Sequence, residues 1–175
     1  IYRELPPHES AANFAKLQRM RFAVTGGLMA LSAGFALLGV SLVGIMYDDR
    51  YAMAGAVVVL MALMQLPQII VMTYDQASLA AGDSRRFFIL TLAKAAAMIL
   101  ALLLGLTWGG LLGALLGYGA AMVLAYPVVV WLARHMRAWD PVHDAGMAAL
   151  GLALAALALW LNGTALTDLA RLSGW

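Results

Sequence analysis

Apolar residues run almost without interruption over five stretches of this chain, about 22–47, 52–74, 87–108, 111–133 and 145–161. A helix rises about 1.5 Å per residue, so ~20 residues cross a ~30 Å hydrocarbon core. The first four stretches meet that length with some tilt, and the fifth lies near its lower limit. Short polar segments separate them: "YDDRY" after the first, "DQASLAAGDSRR" after the second, Gly109 and Gly110 after the third, and "RHMRAWDPVHD" after the fourth. The pattern predicts an all-α polytopic transmembrane bundle of about five spans over 22–161. An amphipathic lead-in over 1–21 precedes it and a polar tail over 162–175 follows. In the lead-in, Ser10 is placed as the N-cap of a helix carrying Phe14, Leu17 and Arg21 toward the membrane.

Composition removes the soluble alternatives. Of 175 residues 64% are hydrophobic and 11% charged, too few charges to clothe a water-soluble core. Cysteine is absent, which excludes disulfide frameworks, thiol nucleophiles and Cys-type metal centres. The net charge of +2 needs no nucleic-acid partner, because topology accounts for it. Assigned to alternate sides, Arg3, Lys16, Arg19, Arg21, Arg85, Arg86, Arg134 and Arg137 oppose only Arg50 and Arg171. The positive-inside rule then puts the N-terminal lead and the second and fourth loops in the cytoplasm. Tyr47, Tyr51, Tyr74, Trp108, Trp131, Trp139 and Trp160 fall near span ends, where interfacial aromatic belts form. The chain begins at Ile1 with no signal-peptide pattern and is read as a piece of a longer polypeptide.

Few polar residues interrupt the spans. Gly109, Gly113, Gly117, Ala121 and Ala125 form an i, i+4 ladder of small residues, a surface for close helix packing or for sliding. Lys94 stands eight residues beyond Arg86, about 12 Å along the helix, where a charge costs ~2.5 to 3.5 kcal/mol. It either snorkels or lines a cavity for an anion such as phosphate, with Thr91 on the same face. Pro67 frees the carbonyl of Leu63 and kinks the second span, while Gln65 and Gln68 satisfy the released groups or offer amides to sugar hydroxyls. Pro127 is placed to bend the fourth span in the same way.

Enzyme chemistry finds no support: HExxH, GxSxG, P-loop and dinucleotide patterns are missing, and no cofactor is expected. His8, His135 and His143 all fall in connecting segments. His143 with Asp140 and Asp144 reads first as solvated loop charge, with a metal site as the alternative.

The order of pieces carries a resemblance. "LVGIMYDDRYAMAGAVVVLMAL", "SLAAGDSRRFFIL" and "TWGGLLGALLGYGAAMVLAYPVVVWL" are similar to the second half of polysaccharide flippases of the multidrug/oligosaccharidyl-lipid/polysaccharide exporter superfamily. Gly44 with Tyr47 to Tyr51, Gly82 with Arg85 and Arg86, and Gly110 with Gly113 and Ala114 fill that family's short motifs, over residues 1 to about 137. The resemblance implies a proton- or ion-coupled, or potential-driven, alternating-access exporter of lipid-pyrophosphate-linked oligosaccharide in a bacterial inner membrane, with this chain as one lobe beside the rest of the parent transporter and membrane lipids as surroundings. Lys94, Gln65, Gln68 and Thr91 are candidates for substrate contact on depth and chemistry, since no family motif covers them. A multidrug exporter of the same superfamily and a non-transporting assembly subunit stand as alternatives.

Overall fold

The structure is a computed structural model that describes residues 10–80 and 82–172. The lead-in before Ser10, with Arg3 and His8, and the last three tail residues lie outside the described residues. The described chain is all helix, with no strand: α1 Ala11–Met46, α2 Ala52–Met64, α3 Leu66–Ala80, α4 Ser84–His135, α5 Pro141–Leu161 and α6 Gly163–Leu172, plus a 3-10 turn Asp49–Tyr51. By length and composition four helical segments can cross a membrane, namely α1, Met53–Asp75, α4 and α5. Large apolar side chains such as Leu31, Ile45 and Leu152 point outward, as lipid-facing residues do.

Helix α1 begins where the sequence places its cap, with the backbone N–H of Asn13 donating to Oγ of Ser10 at 3.1 Å. Its 36 residues, about 54 Å of helix, carry lead-in and span as one rod. Its inward stripe is Leu17, Arg21, Thr25, Met29, Ala36, Gly39 and Val43, so Arg21 is buried in the bundle and is no flanking charge. Met29 and Ala36 meet Val59, Leu63, Leu66, Met147 and Ala158 in the main apolar core, which joins α1, α2, α3 and α5.

The second span breaks at Gln65, the residue between α2 and α3. Pro67 thereby falls in the first turn of α3, where a missing N–H costs little. Backbone bonds bridge the break: Gln65 N–H donates to Met61 O at 3.1 Å and Ile69 N–H to Gln65 O at 3.0 Å.

Helix α4, 52 residues by its hydrogen bonds, doubles back on itself. Gly109 (φ −141°, ψ 22°) and Gly110 (φ 52°, ψ −138°) leave helical geometry, and the second pair of angles is open to glycine alone. The arms 84–108 and 111–135 then run antiparallel in close contact. A Cβ at Gly105 would collide with the backbone carbonyl of Gly113, one at Gly113 with that of Gly105, and one at Gly117 with that of Ala101. Part of the ladder from Gly109 to Ala125 is therefore occupied inside the hairpin, which close approach of backbones stabilises in the absence of a hydrophobic drive. Pro127 sits exposed on the second arm, whose dihedrals stay helical through it.

Helix α5 starts at Pro141, four residues before the expected 145, which lengthens the marginal fifth span to 21 residues. Asp140 is its N-cap and Pro141 its first residue, a favourable pairing for helix initiation. Helix α6 folds back so that Leu169 packs on Ala56 and Leu60.

Candidate functional site

At the end of the bundle where α1 enters, α3 and the second arm of α4 finish and α5 begins, polar side chains from four helical segments converge. The capping geometry of α5 sets the arrangement. Asp140 Oδ1 accepts the backbone N–H of His143 at 3.0 Å, and this tight first turn directs His143 and Asp144 into the bundle. The Asp144 carboxylate sits beside the positive end of the α5 dipole, a favourable location for an anion.

From there the contacts radiate. His143 Nε2 lies 2.9 Å from Oγ1 of Thr25 on α1, and Nδ1 lies 3.0 Å from Oδ1 of Asp144. Tyr74 on α3 donates its hydroxyl to Asp144 Oδ1 at 2.8 Å, and Tyr126 on α4 donates to Asp144 Oδ2 at 2.8 Å. Asp140 N–H donates to the Tyr74 hydroxyl oxygen at 3.2 Å, and Thr25 donates to Arg21 O at 2.7 Å. The Arg21 guanidinium stands 4.5 Å over the Tyr74 ring, and Phe22 meets His143 edge-on at 5.0 Å.

The centre of the network is sealed from solvent, with His143 and Thr25 0% exposed, Asp140 1% and Tyr74 2%, while Tyr126 is partly buried at its edge. Two corrections follow. The loop trio Asp140, His143 and Asp144 is a buried network, because the α5 cap turns it inward. Tyr74 is a core residue with its hydroxyl satisfied, not a member of an interfacial belt. Burying charge is tolerated only when it is paired and hydrogen-bonded, and here each helix contributes a partner. Both ring nitrogens of His143 are engaged, and among the described residues no group of three His, Asp or Glu side chains fits a metal ion.

Beside the hub runs an apolar cleft of about 480 Å³ between α3, the second arm of α4 and α5. Leu66, Pro67, Ile70, Met122, Val123, Ala148 and Leu152 form its walls, and Tyr126, Trp139 and Asp144 supply its polar groups. The Arg134 guanidinium stacks on Trp139 at 4.0 Å, which sets a cation beside that polar side.

The residues chosen from sequence are distributed differently. Lys94 forms an ion pair with Asp75 of α3, both side chains mostly buried. Gln65 Oε1 accepts the hydroxyl of Tyr118 at 3.2 Å, which ties the α2–α3 break to the second arm of α4. Gln68 is half-buried on α3. Thr91 is exposed, and its hydroxyl donates to Phe87 O of its own helix at 2.9 Å. The structure does not gather these four; of the residues singled out, Pro67, Trp139 and Asp144 line the cleft. Tyr47, Trp108 and Trp160 are exposed at span ends, as a belt requires.

The hub residues Thr25, Tyr74, Tyr126, His143 and Asp144 escape a residue-by-residue reading. One signal for them exists: a fifth span that is too short from 145 reaches ordinary length once it includes "PVHD", which forces His143 and Asp144 into the bundle. Comparison with protein-family models, with curated proteins and with solved structures finds no match.

Proposed function

We propose that this chain is one lobe of a membrane exporter that moves lipid-linked oligosaccharide across the bacterial inner membrane, with its N-terminal end cytoplasmic. The cleft is the observation that carries the reading. Its apolar walls suit a prenyl chain, and its polar side brings Tyr126, Trp139 and the stacked Arg134 to where the head of such an amphiphile would lie. Arginine favours pyrophosphate through its planar array of donors. Lys94 takes part by exchanging Asp75 for pyrophosphate during the cycle, while Gln65 and Gln68 offer amides to sugar hydroxyls. The sequence resemblance supports the same substrate class.

Asp144 at the cleft favours a second reading, in which the amphiphile is a lipophilic cation and the chain belongs to a multidrug exporter. A photoreactive benzophenone side chain at position 148, in the full-length protein in native membranes, separates the two. Capture of a polyprenyl-pyrophosphate oligosaccharide, competed by unlabelled compound, supports the first reading. Capture only of a lipophilic aromatic cation supports the second, and capture of neither rejects both.

A further inference from the structure

The two arms of α4 meet again at the mouth of the hairpin, the end opposite the Gly109–Gly110 turn. Arg86 joins them: Nη2 donates to His135 Nε2 at 2.6 Å, and Nη1 pairs with Asp83 Oδ2 at 2.7 Å. Asp83 is also the cap of the first arm, accepting the backbone N–H of Arg86 at 3.0 Å. Arg86 and Asp83 thus cancel in charge and tie the arms together, and the helix start is already served by its own carboxylate.

Around this tie stand cations that no acid answers. Arg85 precedes Arg86 on the first arm, Arg134 and Arg137 lie on either side of His135 on the second, and all three are exposed. None of them forms an ion pair among the described residues. Arg134 turns onto Trp139, which leaves Arg85 and Arg137 on the outer surface. The remaining acids of this end are engaged elsewhere: Asp75 by Lys94, Asp144 by Tyr74 and Tyr126, and Asp140 by the cap of α5. Lys16 and Arg19, exposed on the first turns of α1, add the same sign. Deeper by one helical turn the surface becomes apolar. Phe88 follows Arg85 by three residues and Trp131 precedes His135 by four, about 4.5–6 Å along their arms, and both rings are exposed. Trp131 lies beside His135, with ring centroids 6.5 Å apart. A free phosphate would use only the cations. An amphiphile with an anionic head uses both levels, its phosphate on the guanidinium groups and its ester and acyl region on the aromatic rings.

We propose that the mouth of the α4 hairpin binds one anionic phospholipid of the leaflet it faces, with Arg85 and Arg137 on its phosphate and Phe88 and Trp131 against its apolar part. The lipid reaches both arms and clamps the open end of the hairpin, as the glycine contacts clamp the closed end. The site does not rest on the exporter reading.

The test is native mass spectrometry of the full-length protein in detergent, titrated with dioleoyl phosphatidylglycerol or with dioleoyl phosphatidylcholine, which share their acyl chains. One phosphatidylglycerol is expected to bind more tightly than any phosphatidylcholine, and millimolar inorganic phosphate is expected not to displace it. A cation at an anionic lipid is worth about fivefold in affinity, so Arg85→Gln with Arg137→Gln should weaken that first lipid at least about tenfold. Arg50→Gln, on the exposed turn at the opposite end of the bundle, should leave it unchanged. Equal binding of the two lipids, equal affinity in the double variant, or displacement by inorganic phosphate overturns the proposal. A second measurement needs only a conservative change. In nanodiscs, phosphatidylglycerol with brominated chains should quench tryptophan fluorescence more than brominated phosphatidylcholine at the same mole fraction, and Trp131→Phe should remove the excess. No excess, or an excess that survives Trp131→Phe, overturns the placement of the lipid at the hairpin mouth.

Discussion

Gly105 and Gly113 face each other across the α4 hairpin so closely that a Cβ on either would strike the other's backbone carbonyl. The obstacle is backbone, which cannot rotate aside as a side chain can. Gly113→Ala should therefore lower stability in detergent by about 1–3 kcal/mol, the usual cost of overpacking. Gly34→Ala on α1, where a Cβ meets nothing within 4 Å, should cause no loss and can gain up to about 1 kcal/mol. Equal thermal midpoints for both variants would contradict the hairpin contact.

The Lys94–Asp75 pair makes opposite predictions for single and double changes. Lys94→Met takes the cation from the mostly buried Asp75 carboxylate, and breaking a buried pair costs about 3–5 kcal/mol. With Asp75 partly exposed, the lower end of that range applies. Lys94→Met with Asp75→Leu should recover most of the loss. If export stays absent once stability has returned, the cation serves substrate and not only the fold.

Tyr118 and Gln65 hold the broken second span against the second arm of α4. A double-mutant cycle with Tyr118→Phe and Gln65→Leu should give a coupling of about 0.6 kcal/mol, and no more than about 1.7 kcal/mol, as interhelical hydrogen bonds in membranes do. A coupling indistinguishable from zero would mean that the contact does not hold the break.

Thr25→Val keeps shape and removes the hydroxyl partner of His143 Nε2. A buried polar group left unsatisfied costs about 1–3 kcal/mol. Thr25→Ser should restore most of it, which thermal unfolding of the two variants checks directly.

Much of the scaffold was legible because it follows from local rules. Length and hydropathy marked the apolar segments, Gly109–Gly110 marked the reversal in α4, and Ser10 marked the start of α1. The partner of the small-residue ladder was also within reach, since Ala101, Gly105 and Gly109 repeat the same spacing on the first arm. The hub was not legible, because its chemistry depends on separation in sequence. Thr25 stands 118 positions from His143, and Tyr74 stands 70 from Asp144. No periodicity announces such pairs, and each member alone resembles something ordinary: a helix threonine, a belt tyrosine, a loop aspartate. Lys94 stood out as a charge inside an apolar run. Its relief comes from Asp75, an acid that the sequence places in a connecting segment.

The central claim is movement of lipid-linked oligosaccharide through a path that includes the cleft, and translocation by the full-length protein in proteoliposomes tests it most directly. The account predicts that a fluorescent polyprenyl-pyrophosphate oligosaccharide crosses the bilayer with the unmodified protein. Crossing should fall at least tenfold with Ala148→Phe, which puts a bulky ring into the cleft. No crossing with the unmodified protein, or equal crossing by the cleft-filled variant, would contradict it.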